Sequence, residues 1–173
     1  KSFAESGYDG LTIRALAKAC GCSVGSIYRY FGDKRALVLA MCSRLFEPAA
    51  GAAEAAGDDF AATVAQYVDL AGRHREAYQL MFWLAAQQGG DRAALPAVIK
   101  RVIYGWAGEI GADAARRCWA MVHGLIVAGQ EADAIVEWSV AKRQSLADVA
   151  TREGAREAVS AAEEEAEEDV TLL

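Results

Sequence analysis

Thr12-Ile-Arg-Ala-Leu-Ala-Lys-Ala-Cys-Gly-Cys-Ser-Val-Gly-Ser-Ile-Tyr-Arg-Tyr-Phe-Gly-Asp-Lys-Arg-Ala-Leu37 holds three helix-start residues and two glycine stops in close succession. Thr12, Ser23 and Asp33 each bear a side-chain oxygen that can cap the free amides of a helix beginning just after them. Gly21 and Gly32 stand where helices must end. Leu16, Ala17 and Cys20 form the apolar stripe of the first helix, and Ile27 and Phe31 anchor the second. Two short helices joined at a glycine turn, with a third capped helix behind them, make a helix-turn-helix, whose second helix enters the major groove of DNA.

Upstream, Lys1 to Ser6 reads as the last turns of a helix, with Phe3 inward and Gly7 as its stop. Because the chain starts at Lys1 in mid-pattern and without an initiator methionine, that first helix is expected to be incomplete. Downstream, Leu37, Val38, Met41 and Leu45 recur at helical spacing and carry the third helix toward the rest of the chain. Residues 1–45 contain seven Lys or Arg against three Asp or Glu; residues 46–173 contain eleven against 21. A basic start on an acidic body suits phosphate attraction by the head alone.

The composition is 54% apolar, with only two prolines and no long alternation of β-branched residues, which favours an all-α protein. The alanine-rich stretch with Pro48, Gly51 and Gly57 reads as a connection. Four amphipathic helices are then expected. They run through Phe60, Val64, Tyr67, Val68 and Ala71; through Tyr78, Met81, Phe82 and Ala85 to Gly89-Gly90; from Pro96 through Ile99, Val102, Ile103 and Trp106; and from an Asp113 cap to Ala128, this last one apolar nearly all round from Cys118 to Ala128 and so expected to be buried on most sides. Another is expected over 132–149. Residues 157–169 hold seven acids and no base and read as a solvated helix or frayed tail. The domains are therefore 1–46, a helix-turn-helix head, and 47–173, a helical body with an acidic tail.

Cys20, Cys22, Cys42 and Cys118 lack zinc-site spacing and read as small buried hydrophobes. No cofactor or metal is expected. The chain shows neither a signal peptide nor an apolar run of membrane-spanning length, so no membrane partner and a cytoplasmic location are expected.

Candidate DNA contacts follow from the geometry of the motif. Ser23, Val24, Gly25 and Ser26 lead the recognition helix, where Ser26 can hydrogen-bond a base edge or phosphate and Val24 can touch a thymine methyl group. Gly25 removes bulk where backbone and DNA approach. Tyr28 and Tyr30 diverge from one another and suit phosphates on either side of the groove. Lys34, in the first turn of the next helix, is placed for a phosphate, and Arg14 for a base or a phosphate. In the body, Tyr67, Tyr78, Phe82, Trp83, Tyr104, Trp106, Trp119 and Met121 supply aromatic and flexible apolar surface of the kind that lines ligand pockets, with His123 as a polar group among them. The same residues also suit a plain core.

Phe3, Gly7-Tyr8, Thr12, Leu16-Ala17, Gly21, Ser23, Gly25, Ile27-Tyr28, Tyr30-Phe31, Lys34 and Leu37 together resemble the TetR family of transcriptional regulators over residues 3 to about 45. The resemblance implies a homodimeric repressor whose heads bind a palindromic double-stranded operator and whose body binds a small-molecule inducer. It lays DNA-contacting roles on Thr12, Arg14, Ser23, Val24, Gly25, Ser26, Tyr28, Tyr30 and Lys34. Cys22 replaces a usual small aliphatic residue, and Val24 offers no hydrogen bond. Tyr78 to Phe82 and Trp119 to Gly124 are similar to segments of one TetR subgroup, with Arg75 departing from a common proline.

Two other readings stand beside it. A constitutive DNA-binding dimer would use the body for pairing alone. A serine hydrolase would use Gly21-Cys-Ser23-Val-Gly25 as a nucleophile elbow, but that motif needs a strand before the serine, and the sequence offers a helix.

Overall fold

A computed structural model describes residues 7–8, 10–55, 59–87, 95–143, 145 and 148. The fold is all-α, a helix-turn-helix head and a helical body. The helices are α1 Ile13–Ala19, α2 Val24–Tyr30, α3 Lys34–Arg44, α4 Glu47–Ala55, α5 Phe60–Arg73, α6 Arg75–Ala86, α7 Ala97–Ile110 and α8 Ala112–Ala128, with residues 132–143 also helical. The expected first helix over 1–6, the Gly89-Gly90 stop, the end of the last helix near 149 and the acidic tail lie outside the described residues. Among the described residues no single helix is long and apolar enough to cross a membrane.

Contacts divide the chain into two compact units, Lys1–Leu45 with Glu76–Pro96 and Phe46–Arg75 with Ala97–Leu173. In the first, Leu11, Leu16, Ala17, Ile27, Leu37 and Val38 are buried, whereas Cys20 and Met41, which the spacing also turns inward, are exposed, and Phe31 and Leu45 are half-buried. Helix α6 belongs to this unit. The Arg35 guanidinium donates to the Leu84 carbonyl over 3.4 Å, the Ser43 hydroxyl lies 3.7 Å from the Met81 sulfur, and Trp83 meets Tyr8 edge-on with ring centroids 5.4 Å apart.

In the second unit α4 packs on α7 and α7 on α8. The sequence reads Pro48 to Gly57 as a connection; instead residues 47–55 are α4, with Ala49, Ala50 and Ala53 buried. Pro48 sits in the first turn, where the missing amide costs nothing. The small residues let two backbones meet: a Cβ added to Gly105 of α7 would lie 2.5 Å from the carbonyl carbon and oxygen of Ala53. Arg101 of α7 then clamps the outer edge, donating to Glu47 over 2.6 Å and to both oxygens of Glu54 over 2.6 and 2.8 Å.

At α8 the cap is not Asp113. Gly111, at φ 83°, turns the chain into the helix without a side-chain bond, and Asp113 lies inside the first turn paired with Arg116. Nor is α8 covered on most sides. Ala114, Ala115, Cys118, Trp119, Val122 and Ile126 are buried along one face, whereas Met121 and Val127 are about half exposed along the other. An apolar residue does not have to be inside, so composition alone could not distinguish these faces.

Candidate nucleic-acid interface

Thr12, at φ −112° and ψ 147°, accepts from the Ala15 amide at 3.1 Å and starts α1. Ser23 accepts from the Ser26 amide at 3.0 Å and starts α2, and Asp33 accepts from the Ala36 amide at 2.7 Å and starts α3. Each bond satisfies an amide the helix cannot pair, an effect of about 1 kcal/mol per cap. Gly21, at φ 64°, ends α1: its amide bonds the Lys18 carbonyl at 3.3 Å and the Cys22 amide bonds the Ala17 carbonyl at 3.0 Å. This pair of bonds around a left-handed residue is a Schellman motif, and it sets how α2 leaves α1.

Along α2 only Ile27 is buried. Gly25 and Ser26 are exposed and Val24 is half-buried. The Ser26 hydroxyl lies 2.9 Å from the Ser23 hydroxyl, so both are held in place at the start of the helix. Tyr28 and Tyr30 are 54% and 78% exposed, which removes them from the core and leaves both phenols free to meet a partner. Arg14 and Thr12 are exposed on α1 and its cap. From Gly10 to Gly32 the sequence has no acid, while Arg14, Lys18 and Arg29 supply positive charge. Lys18 and Arg29 are also exposed, and sequence reasoning assigned them no part. Their signal was there: each occupies the last turn of its helix on the same acid-free stretch.

Lys34 is half-buried, its ammonium 4.1 Å from the centre of the Tyr8 ring. A cation over a ring face is attracted by the ring quadrupole, so Tyr8 limits where that ammonium can point. Tyr8 is in turn braced by Trp83. Sequence spacing could not show this three-residue stack, since it joins α6 to residues far earlier in the chain.

Residues 1–41 match the family model described as "Bacterial regulatory proteins, tetR family". The likeness is confined to this head, which is similar to the helix-turn-helix of that family. Two curated relatives, each named HTH-type transcriptional repressor AcnR, one from Corynebacterium efficiens and one from Corynebacterium glutamicum, are 51% identical over 41 residues, 24% of this chain and 22% of each relative. The match therefore spans about a fifth of their length. A solved structure described as a protein of unknown function from Rhodococcus sp. RHA1 is similar at 24% identity, covering 85% of this chain and 88% of that one with a TM-score of 0.49.

The nine body residues that suit a pocket fall into separate groups. Tyr67, Trp106 and Trp119 are buried in the second unit. Trp106 packs edge-on against Phe60 at 5.6 Å and Tyr67 at 5.8 Å, and the Trp119 indole donates to the Tyr67 hydroxyl at 3.0 Å. His123 stacks on Trp119 at 5.1 Å, and burial lowers its pKa below the ordinary 6.5. Tyr104, 70% exposed, and Met121, 50% exposed, stand outside that cluster. Tyr78, Phe82 and Trp83 are on α6 in the unit of the head. The Trp106 indole N–H is buried without a hydrogen-bond partner among the described residues.

Proposed function

We propose that the protein is a ligand-responsive transcriptional repressor that binds a palindromic operator as a homodimer and is released by a small molecule. The observation that carries this reading is the capped recognition helix on an acid-free basic stretch, with Tyr28 and Tyr30 exposed. In this reading Val24, Gly25 and Ser26 face base edges. Thr12, Arg14, Ser23, Tyr28, Tyr30 and Lys34 grip phosphates or bases around them, and Lys18 and Arg29 add to the field. The curated relatives named as repressors support the direction of control.

Dimerisation is proposed through α8 and residues 132–143. Met121, Val127 and Val140 are exposed apolar side chains there, and a self-complementary face of this kind is what a two-fold pair needs. Two heads would then meet half-sites one DNA turn, about 34–36 Å, apart. Ligand binding is proposed in the aromatic body. The unpaired Trp106 indole supports it, because a buried donor without a partner costs free energy until an acceptor arrives.

The phosphate role of Lys34 is tested by the salt dependence of duplex binding. Lys34→Ala should weaken binding to all sequences alike and reduce the slope of log K against log salt by about one unit. An unchanged slope removes Lys34 from the contacts. Screening small aromatic and acyl compounds by thermal shift separates an inducible repressor from a constitutive dimer, since only the former gains stability and loses operator affinity with one compound.

A further inference from the structure

The turn between α1 and α2 carries two exposed thiols to which the DNA-binding reading above gives no role. The sequence reads all four cysteines as core, but Cys20 and Cys22 are exposed while Cys42 and Cys118 are buried. Position explains the difference. Cys20 is the C-cap of α1 and Cys22 follows the left-handed glycine, so neither lies on a stripe that faces the interior. The buried pair is chemically quiet, because burial pushes Cys42 up to about 11 and Cys118 up to about 12 and so disfavours the reactive thiolate. A reagent in solution therefore meets one pair of thiols and not the other.

The backbone between the two exposed thiols is folded rather than extended. A disulfide accepts Cα separations of about 4.4–6.8 Å. An extended Cys-Gly-Cys segment would stretch toward about 7 Å, but Gly21 at φ 64° folds the chain between the two Cα atoms. We propose that Cys20 and Cys22 form a dithiol that a hydroperoxide closes to a disulfide, and that closure weakens the hold of the head on DNA. The second part rests on the DNA-binding reading above; the first does not.

In the first step the thiolate of one cysteine attacks a peroxide oxygen. The O–O bond breaks, a sulfenic acid forms, and the other oxygen leaves as water or alcohol with the thiol's proton. The second sulfur then attacks the sulfenic sulfur, the S–O bond breaks, and water leaves with the second proton. The peroxide gains two electrons and each cysteine loses one. The closed ring demands a Cβ separation of about 3.8 Å and a torsion near 90° about the sulfur pair. Those demands fall on Cys20 and Cys22, across a turn set by the amide bonds of Gly21 to Lys18 and of Cys22 to Ala17, directly before Ser23, whose torsions of −81° and 152° cap α2.

The experiment uses the full reduced chain, hydrogen peroxide, and alkylation of the remaining thiols before tryptic mass spectrometry. The fragment that holds Cys20 and Cys22 is expected about 2 Da lighter and unalkylated, and dithiothreitol should reverse the change. In parallel, affinity for a duplex of arbitrary sequence at low salt should fall about fivefold, the scale of losing one helix cap, and recover on reduction. Cys20→Ser and Cys22→Ser should each bind like the reduced protein and ignore the peroxide. A fragment alkylated at both thiols, or carrying added oxygen instead of a closed ring, overturns the dithiol. Equal loss of binding in both serine variants, or a closed ring with unchanged affinity, overturns its link to DNA. A reduced protein that binds no duplex sinks the regulator reading and leaves the dithiol to stand on its mass shift.

Discussion

In the head, helices of seven residues are started by side chains only three residues from the amides they serve; in the body, helices of 14 and 17 residues are joined by rings as far apart in sequence as Tyr67 and Trp119. The head thus takes its shape from local chemistry and turns Tyr28 and Tyr30 outward. The body takes its shape from distant packing. Damage to the body should appear as lost stability, whereas damage to the head should appear first as lost recognition.

The largest expected effect is Trp106→Ala, which removes a fully buried ring from between Phe60 and Tyr67 and should cost about 4 kcal/mol in urea unfolding. A cost below about 1 kcal/mol would mean that the aromatic cluster does not hold the body. Next comes Gly105→Ala. Its added methyl group meets the Ala53 backbone rather than a flexible side chain, so α4 and α7 must separate at a cost of about 2 kcal/mol; an unchanged melting temperature would show that the seam yields freely.

Ser23→Ala should cost about 1 kcal/mol through loss of the cap, with faster amide exchange at Ser26. Restoration of slow exchange by Ser23→Asp would separate capping from any other use of the hydroxyl, while duplex affinity stays low because a carboxylate faces phosphate. The smallest effect concerns pH. Burial disfavours the charged form of His123 in the folded chain, so the unfolded chain binds more protons as pH falls below about 6.5. Stability present above that value is therefore lost on acidification toward the lowered folded pKa. His123→Gln should flatten this part of the melting curve between about pH 7.5 and 5.5, and an equally steep variant would assign the effect elsewhere.

The same contrast explains what the sequence made legible. Thr12, Ser23 and Asp33 announce their helices because cap and amide are neighbours, and Gly21 announces its turn because only glycine takes φ 64° without strain. Helix α4 was hidden because alanine, glycine and proline in succession look like a linker until Gly105, some 50 residues later, supplies the surface they pack against. The exposure of Tyr28 and Tyr30, the two environments of the cysteines and the stack of Trp83, Tyr8 and Lys34 likewise depend on which face meets which neighbour. Helical spacing narrows that question without answering it.

The seam of Ala49, Ala50, Ala53 and Gly105 also behaves differently with temperature from the rings beside it. None of these residues has a side-chain torsion to lose on folding, and the little apolar area they cover adds little to the heat capacity of unfolding. Close atomic contact holds them, so the seam should keep its strength on cooling while the aromatic cluster, which relies more on expelled water, weakens.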